Sequence, residues 1–193
     1  MDGVNFNTST VWEGNIEAGE NYQYLQGYPK GTQLIAEAAD LEGIANNSYD
    51  FLLSCHSLEH VANPIKALKR WHEILKPGGS VYIIVPNKEV TFDKNRPYTT
   101  FEHLVADYKN NIDERDNTHV DEVLKLHSIA DDEGVKDYEE LEERMKNIFV
   151  NRCIHHHVFS LEVMKQALEY CNFKVMLQKT IHSLNLFSVG VKP

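Results

Sequence analysis

Two short runs concentrate side chains that can do chemistry. The first is Ser54-Cys55-His56-Ser57-Leu58-Glu59-His60, at the end of the apolar segment YDFLLSC. An imidazole here can take a proton, and a carboxylate can accept hydrogen bonds from a ribose or an amine. Equally, His56 can make an ordinary loop contact, and Glu59 can brace the helix that follows. The second run begins at Pro86-Asn87-Lys88 and continues through Asp93, Arg96, Tyr98, Thr99, Thr100, Glu102 and His103. It can grow a substrate lid over Asn87, Arg96 and Tyr98, or Arg96 and Glu102 can merely fasten it. His56 and His103 are the candidate general bases. The triplet His155-His156-His157 does not aim three rings at one ion in either a helix or a strand, so no metal site is expected, even with His119 and His127 in the chain. A polar strand or loop, with one histidine buried and hydrogen-bonded, is the plainer reading. GxSxG, GxxxxGK[ST] and HExxH motifs are all absent.

The elements that must hold these runs follow from hydrophobic pattern. Residues 49–55 are nearly continuous in apolar side chains, as in a strand buried on both faces, and Cys55 is expected to be buried and inert at its end. Asn63-Pro64 suits a helix start, and Ile65, Leu68, Trp71 and Leu75 recur at helical spacing up to Pro77-Gly78-Gly79. SVYIIV, 80–85, is the next strand. Strand, helix and strand in so short a span favour parallel pairing. Residues 1–33, rich in Gly, Asn and Thr, read mostly as loop, and LIAEAADL from Leu34 can contribute a strand beside 49–55 that brings Glu37 or Asp40 near the first run. Helices are expected over 100–110, 118–128 and 137–149, and a helix capped by Ser160. Strands near 173–180 and 184–191 are joined by a short link through His182 and Ser183, so antiparallel pairing is the simplest reading. Residues 131–146 hold eight acids and three bases, which marks a solvated helix face rather than an ion site.

Composition bounds the rest. The 193 residues carry 19 Lys plus Arg against 29 Asp plus Glu, a formal charge of −10, which opposes broad contact with nucleic-acid backbone. No apolar run is long enough to span a membrane, and MDGVNFNTST lacks the features of a signal peptide, so a cytoplasmic protein is expected. Three cysteines without a CxxC pair make no disulfide framework. The length suits one domain, 1–193, with an inserted helical cap over 89–158.

The segment YDFLLSCHSLEHVANPIKALKRWHEILKPGGSVYIIVPNK, 49–88, resembles the class I S-adenosylmethionine-dependent methyltransferases, most of all the type 11 group. The features that carry the resemblance are Asp50 in the strand, the Glu59-His60 pair past its exit, and Leu75-Lys76-Pro77-Gly78-Gly79 before the next strand. FEHL, THVDEVLKLH and NRCIHHHVF resemble a subgroup with a helical insertion. The resemblance implies an α/β, Rossmann-like methyltransferase sheet with a C-terminal antiparallel hairpin. It implies S-adenosylmethionine as cofactor, met by Glu37 and by Ser54, His56 and Ser57, and methyl transfer to a small acceptor. No counterpart of the family's glycine-rich loop precedes Asp50, and GVNF resembles the end of the family's second strand. On this reading the sheet is truncated, and a homodimer or a protein partner covers its exposed edges. A catalytically inactive binding or scaffold protein on the same fold is the alternative.

Overall fold

Gly31 is glycine because two stretches of backbone meet there: a Cβ at this position would lie 1.7 Å from the Met1 carbonyl oxygen. The computed structural model describes residues 1–193, and the first of its two units is Met1–Ile44. That unit holds β1 (Gly3–Asn5), β2 (Ser9–Thr10), β3 (Gly14–Asn15), β4 (Gly19–Tyr22) and β5 (Gly31–Ile35). β5 pairs parallel with β1 and antiparallel with β4. The region that reads as loop is therefore a set of short strands, whose two to five residues are too few to show a period of two. The hydrogen-bonded neighbours of β5 are β1 and β4, so LIAE does not pair beside 49–55 as expected.

The second unit, Ala45–Pro193, contains β6 (Tyr49–Cys55), α1 (Pro64–Ile74) and β7 (Leu75–Pro86). It continues with α2 (Phe101–Lys109), α3 (Val120–Leu126), α4 (Tyr138–Met145), α5 (Ile148–Asn151) and α6 (Leu161–Tyr170), and ends in β8 (Lys174–Ile181) and β9 (Asn185–Val191). Asn63 accepts a hydrogen bond from the Lys66 N–H at 3.0 Å, ahead of Pro64, and so starts α1. Leu75 is already extended, so α1 ends just before the Pro-Gly-Gly turn. Ser160 starts α6 in the same way, accepting from the Val163 N–H.

The sheet order is β6-β7-β9-β8, with β6 and β7 parallel and the other neighbours antiparallel. This is the α/β arrangement with a C-terminal hairpin that the sequence implies. Phe51, Leu53 and Cys55 lie opposite Ser80, Tyr82 and Ile84, on the face away from the core residues Val81 and Ile83, so Phe51 and Leu53 are exposed, which overturns the expectation of a strand buried on both faces. Cys55 is exposed for the same reason. Partial burial and then the nearby Glu59 carboxylate raise its pKa and keep it a thiol.

The core lies where α1 and α6 cover one face of the sheet, through Ile65, Leu68, Met164, Ala167, Leu168, Val81 and Ile83. Residues 89–158 carry α2 to α5 and a small core of their own, formed by Val123, Val135, Leu141, Met145, Ile148 and Ile154. In α4, Leu141 and Met145 turn inward, while Glu139, Glu140, Glu142 and Glu143 stay exposed.

Gly190 is closely packed within the main core. A Cβ there would lie 3.1 Å from Phe173 Cβ and Val81 Cγ1, and 3.2 Å from Leu168 Cδ2. Gly190→Val is expected to destabilise the fold by roughly 1–3 kcal/mol, read as a lowered urea midpoint. An unchanged midpoint would contradict this packing.

Candidate active site

The exit of β6 turns sharply. His56 has φ +48°, a left-handed conformation that a non-glycine residue adopts at a cost of order 1–3 kcal/mol. Its backbone N–H still donates to the Ile84 carbonyl at 2.9 Å, so the turn is anchored to β7. The ring is held as well: Nε2 lies 2.7 Å from Asn185 Oδ1, and Nδ1 lies 3.7 Å from Glu59 Oε1. With Nε2–H donating to Asn185 Oδ1, Nδ1 is the ring nitrogen left facing Glu59. The hydroxyls of Ser54 and Ser57 share a hydrogen bond at 2.7 Å. At the neighbouring exit of β7, Asn87 Nδ2 donates to the Ser183 carbonyl at 2.8 Å. The carboxyl ends of two parallel strands thus present Ser54, His56, Ser57 and Asn87. Asn185 escaped sequence reasoning because only the β7–β9 register, Pro86 opposite Asn185, brings it to His56.

Glu59 and His60 turn inward. The Glu59 side chain is 2% exposed, and neither carboxylate oxygen has a hydrogen-bond partner. Burial raises its pKa, against the opposing charge of His155. The Glu59 carbonyl accepts from the His156 N–H at 2.9 Å and the His157 N–H at 3.4 Å. His60 Nδ1 lies 2.9 Å from the Ile154 carbonyl. Burial first, then the His155 charge, lowers the His60 pKa to about 3, so this ring is neutral. The residues after β6 are in this way stitched to the histidine triplet.

A buried ionic network continues from there. His155 Nδ1 lies 2.6 Å from Asp93 Oδ2. Arg96 donates to Asp93 Oδ1 at 2.9 Å, to the His155 carbonyl at 2.9 Å and to Glu122 Oε1 at 2.8 Å. Burial opposes the Asp93 charge, but His155 and Arg96 outweigh it and lower that pKa to about 2. Burial likewise lowers the His155 pKa, and the Asp93 carboxylate more than reverses this, raising it. Asp93 is therefore an anion between the Arg96 cation and an imidazole whose protonated form it favours.

Each predicted residue has a definite place. Arg96 is 1% exposed and spends its donors on protein groups, so it fastens the cap. Tyr98 is exposed and donates its hydroxyl to Glu89 Oε1 at 2.9 Å, with Lys88 Nζ 4.7 Å from its ring centroid. His103 stands apart from the β6 exit set in its contacts, facing His119, His157 and Asp107. Glu37 lies just past β5 in the first unit, its carbonyl accepting from the N–H groups of Asp40 and Leu41. The histidine triplet divides three ways: His155 to Asp93, His156 toward Glu114 and His157 to the His103 group.

A profile of a methyltransferase domain family matches residues 16–178, through both units. The chain belongs to this methyltransferase domain family. Its sheet is accordingly the class I, Rossmann-like type. A S-adenosylmethionine-dependent methyltransferase from Methanosarcina mazei superposes with a TM-score of 0.52 at 16% identity, covering 99% of this chain and 81% of that one. The likeness is one of fold. A second, from Aquifex aeolicus, gives 0.45 at 15% identity, covering 83% and 54%. Two uncharacterized proteins of Mycobacterium tuberculosis are 33% identical over 58 residues, which is 30% of this methyltransferase domain and a fifth (20%) of their own length. No helix is long and apolar enough to cross a membrane.

Removing Arg96 leaves Asp93 as a buried, half-compensated anion. Arg96→Met is expected to cost about 3–5 kcal/mol of stability, measured by urea unfolding. A cost below about 1 kcal/mol, the range of exposed ion pairs, would contradict the fastening role.

Proposed function

We propose that this domain binds S-adenosylmethionine and transfers its methyl group to a small acceptor. The observation that carries this reading is the convergence of Ser54, His56, Ser57 and Asn87 on the carboxyl ends of the parallel pair β6 and β7, the ligand position of open α/β sheets, in a chain of this family. The residues fit a cationic, hydrogen-bonding cofactor: beside His56 lies the Glu59 carboxylate, buried and without a hydrogen-bond partner. When bound, the cofactor supplies an electrophilic methyl group on a sulfonium.

The chain's own residues bind and orient. Ser54, His56 and Ser57 contact the cofactor with their polar groups. Asn87 and Tyr98 line the acceptor side, and Arg96 holds the segment that carries Tyr98. His56 Nδ1 is the lone pair available to take a proton from the acceptor, its ring held in place by Asn185. Transfer needs alignment of nucleophile and donor more than any further chemistry. Residues 1–193 work as one methyltransferase-like domain with 89–158 as cap. A second copy or a protein partner covers the β6 edge, where Phe51 and Leu53 are exposed.

Calorimetric titration of S-adenosylhomocysteine and S-adenosylmethionine into the folded chain tests the reading. Saturable 1:1 binding in the micromolar range is expected, weakened roughly tenfold by Ser57→Ala, as for one lost hydrogen bond. A folded sample that takes up neither ligand would overturn it.

A further inference from the structure

A second group of side chains, outside the β6 and β7 exits, has the donor atoms and spacing of a metal centre. One ligand atom from each of His103, His119 and His157 lies within 4.8 Å of the other two. His103 Nε2 is 3.2 Å from His119 Nε2 and 3.3 Å from Asp107 Oδ2. Bond lengths of 2.0–2.1 Å to a tetrahedral dication require ligand atoms about 3.3 Å apart, so these two edges already match. We propose that His103, Asp107, His119 and His157 bind one transition-metal dication of zinc's class, tying the cap together.

Three segments supply the four residues. His103 and Asp107 are four apart on α2 and so share one helix face. His119 immediately precedes α3, and His157 lies on the extended stretch before α6. Two buried polar atoms here have no hydrogen-bond partner, Asp107 Oδ2 and His157 Nδ1. His157 Nε2 lies 3.2 Å from the Ala62 carbonyl. A backbone carbonyl of this kind orients a ligating imidazole by holding its other nitrogen. Three imidazoles and one carboxylate suit zinc or its neighbours over magnesium or calcium, which prefer all-oxygen sites. The His103 side chain is 41% exposed, which gives an ion a way in.

The other triad of the same residue types, Glu59, His60 and His155, does not compete. Its His155 already has the Asp93 carboxylate 2.6 Å from Nδ1, and the group offers three ligands where the other offers four. The triplet 155–157 thus never faces one ion, as its spacing predicts. One of its members, His157, instead joins His103, Asp107 and His119 from two other segments.

The test uses the full chain with any affinity tag removed, stripped with a chelator and returned to metal-free buffer. Zinc is titrated in competition with a chromogenic chelator, and cobalt(II) is added to a parallel sample. One zinc per chain and the intense visible bands of tetrahedral cobalt are expected. His103→Gln, at the most exposed ligand, should weaken zinc binding by roughly 100-fold or more, beyond the 10–100-fold typical of outer partners, and bleach the cobalt bands. His119→Gln should do the same. His182→Gln, at an exposed position on the β8–β9 turn, should change neither. Failure of the folded wild-type chain to bind zinc at one per chain, or equal affinity in wild type and His103→Gln, would overturn the proposal. Neither readout depends on methyl transfer.

Discussion

The anionic Asp93 carboxylate, buried between Arg96 and His155, is the constraint on which the candidate site depends. An uncompensated charge there would be prohibitive, so the segment carrying Asp93 and Arg96 must dock against the segment carrying His155. Arg96 extends the tie to Glu122 on α3 and to the His155 carbonyl. Once residues 154–157 are placed, their backbone meets Glu59 and His60, just past the β6 exit. A chain of polar contacts thus runs from the cap to the strand end where His56 turns.

Local signals in the sequence act over a few residues, and those elements were legible. Asn63-Pro64 starts α1, Ser160 starts α6, and the short link through His182 and Ser183 forces the hairpin of β8 and β9. The Glu59-His60 pair and the Pro-Gly-Gly turn pointed to the family that the profile over 16–178 shows. The cap helices fell close to 100–110, 118–128 and 137–149 because each pairs a few buried apolar residues with a polar face.

What the sequence hid depends on contacts between distant residues. His56 and Asn185 are 129 positions apart, and His155 and Asp93 are 62 apart; no local pattern announces either pair. The exposure of Phe51, Leu53 and Cys55 reflects which face of β6 packs against the core, not the composition of β6. The role of Arg96 divides in the same way. Its type and position are compatible with a ligand contact, and only its burial among Asp93, Glu122 and His155 shows that it fastens the cap. The histidines of the triplet were read together because they are adjacent, yet their neighbours in space separate them.

The account places ligand binding at the exits of β6 and β7, with the buried network behind them. Hydrogen–deuterium exchange with and without S-adenosylhomocysteine tests that placement most directly. Slower exchange at residues 54–60 and 86–88 in the presence of the ligand is the predicted result. Unchanged exchange in both segments at a saturating ligand concentration would contradict the account.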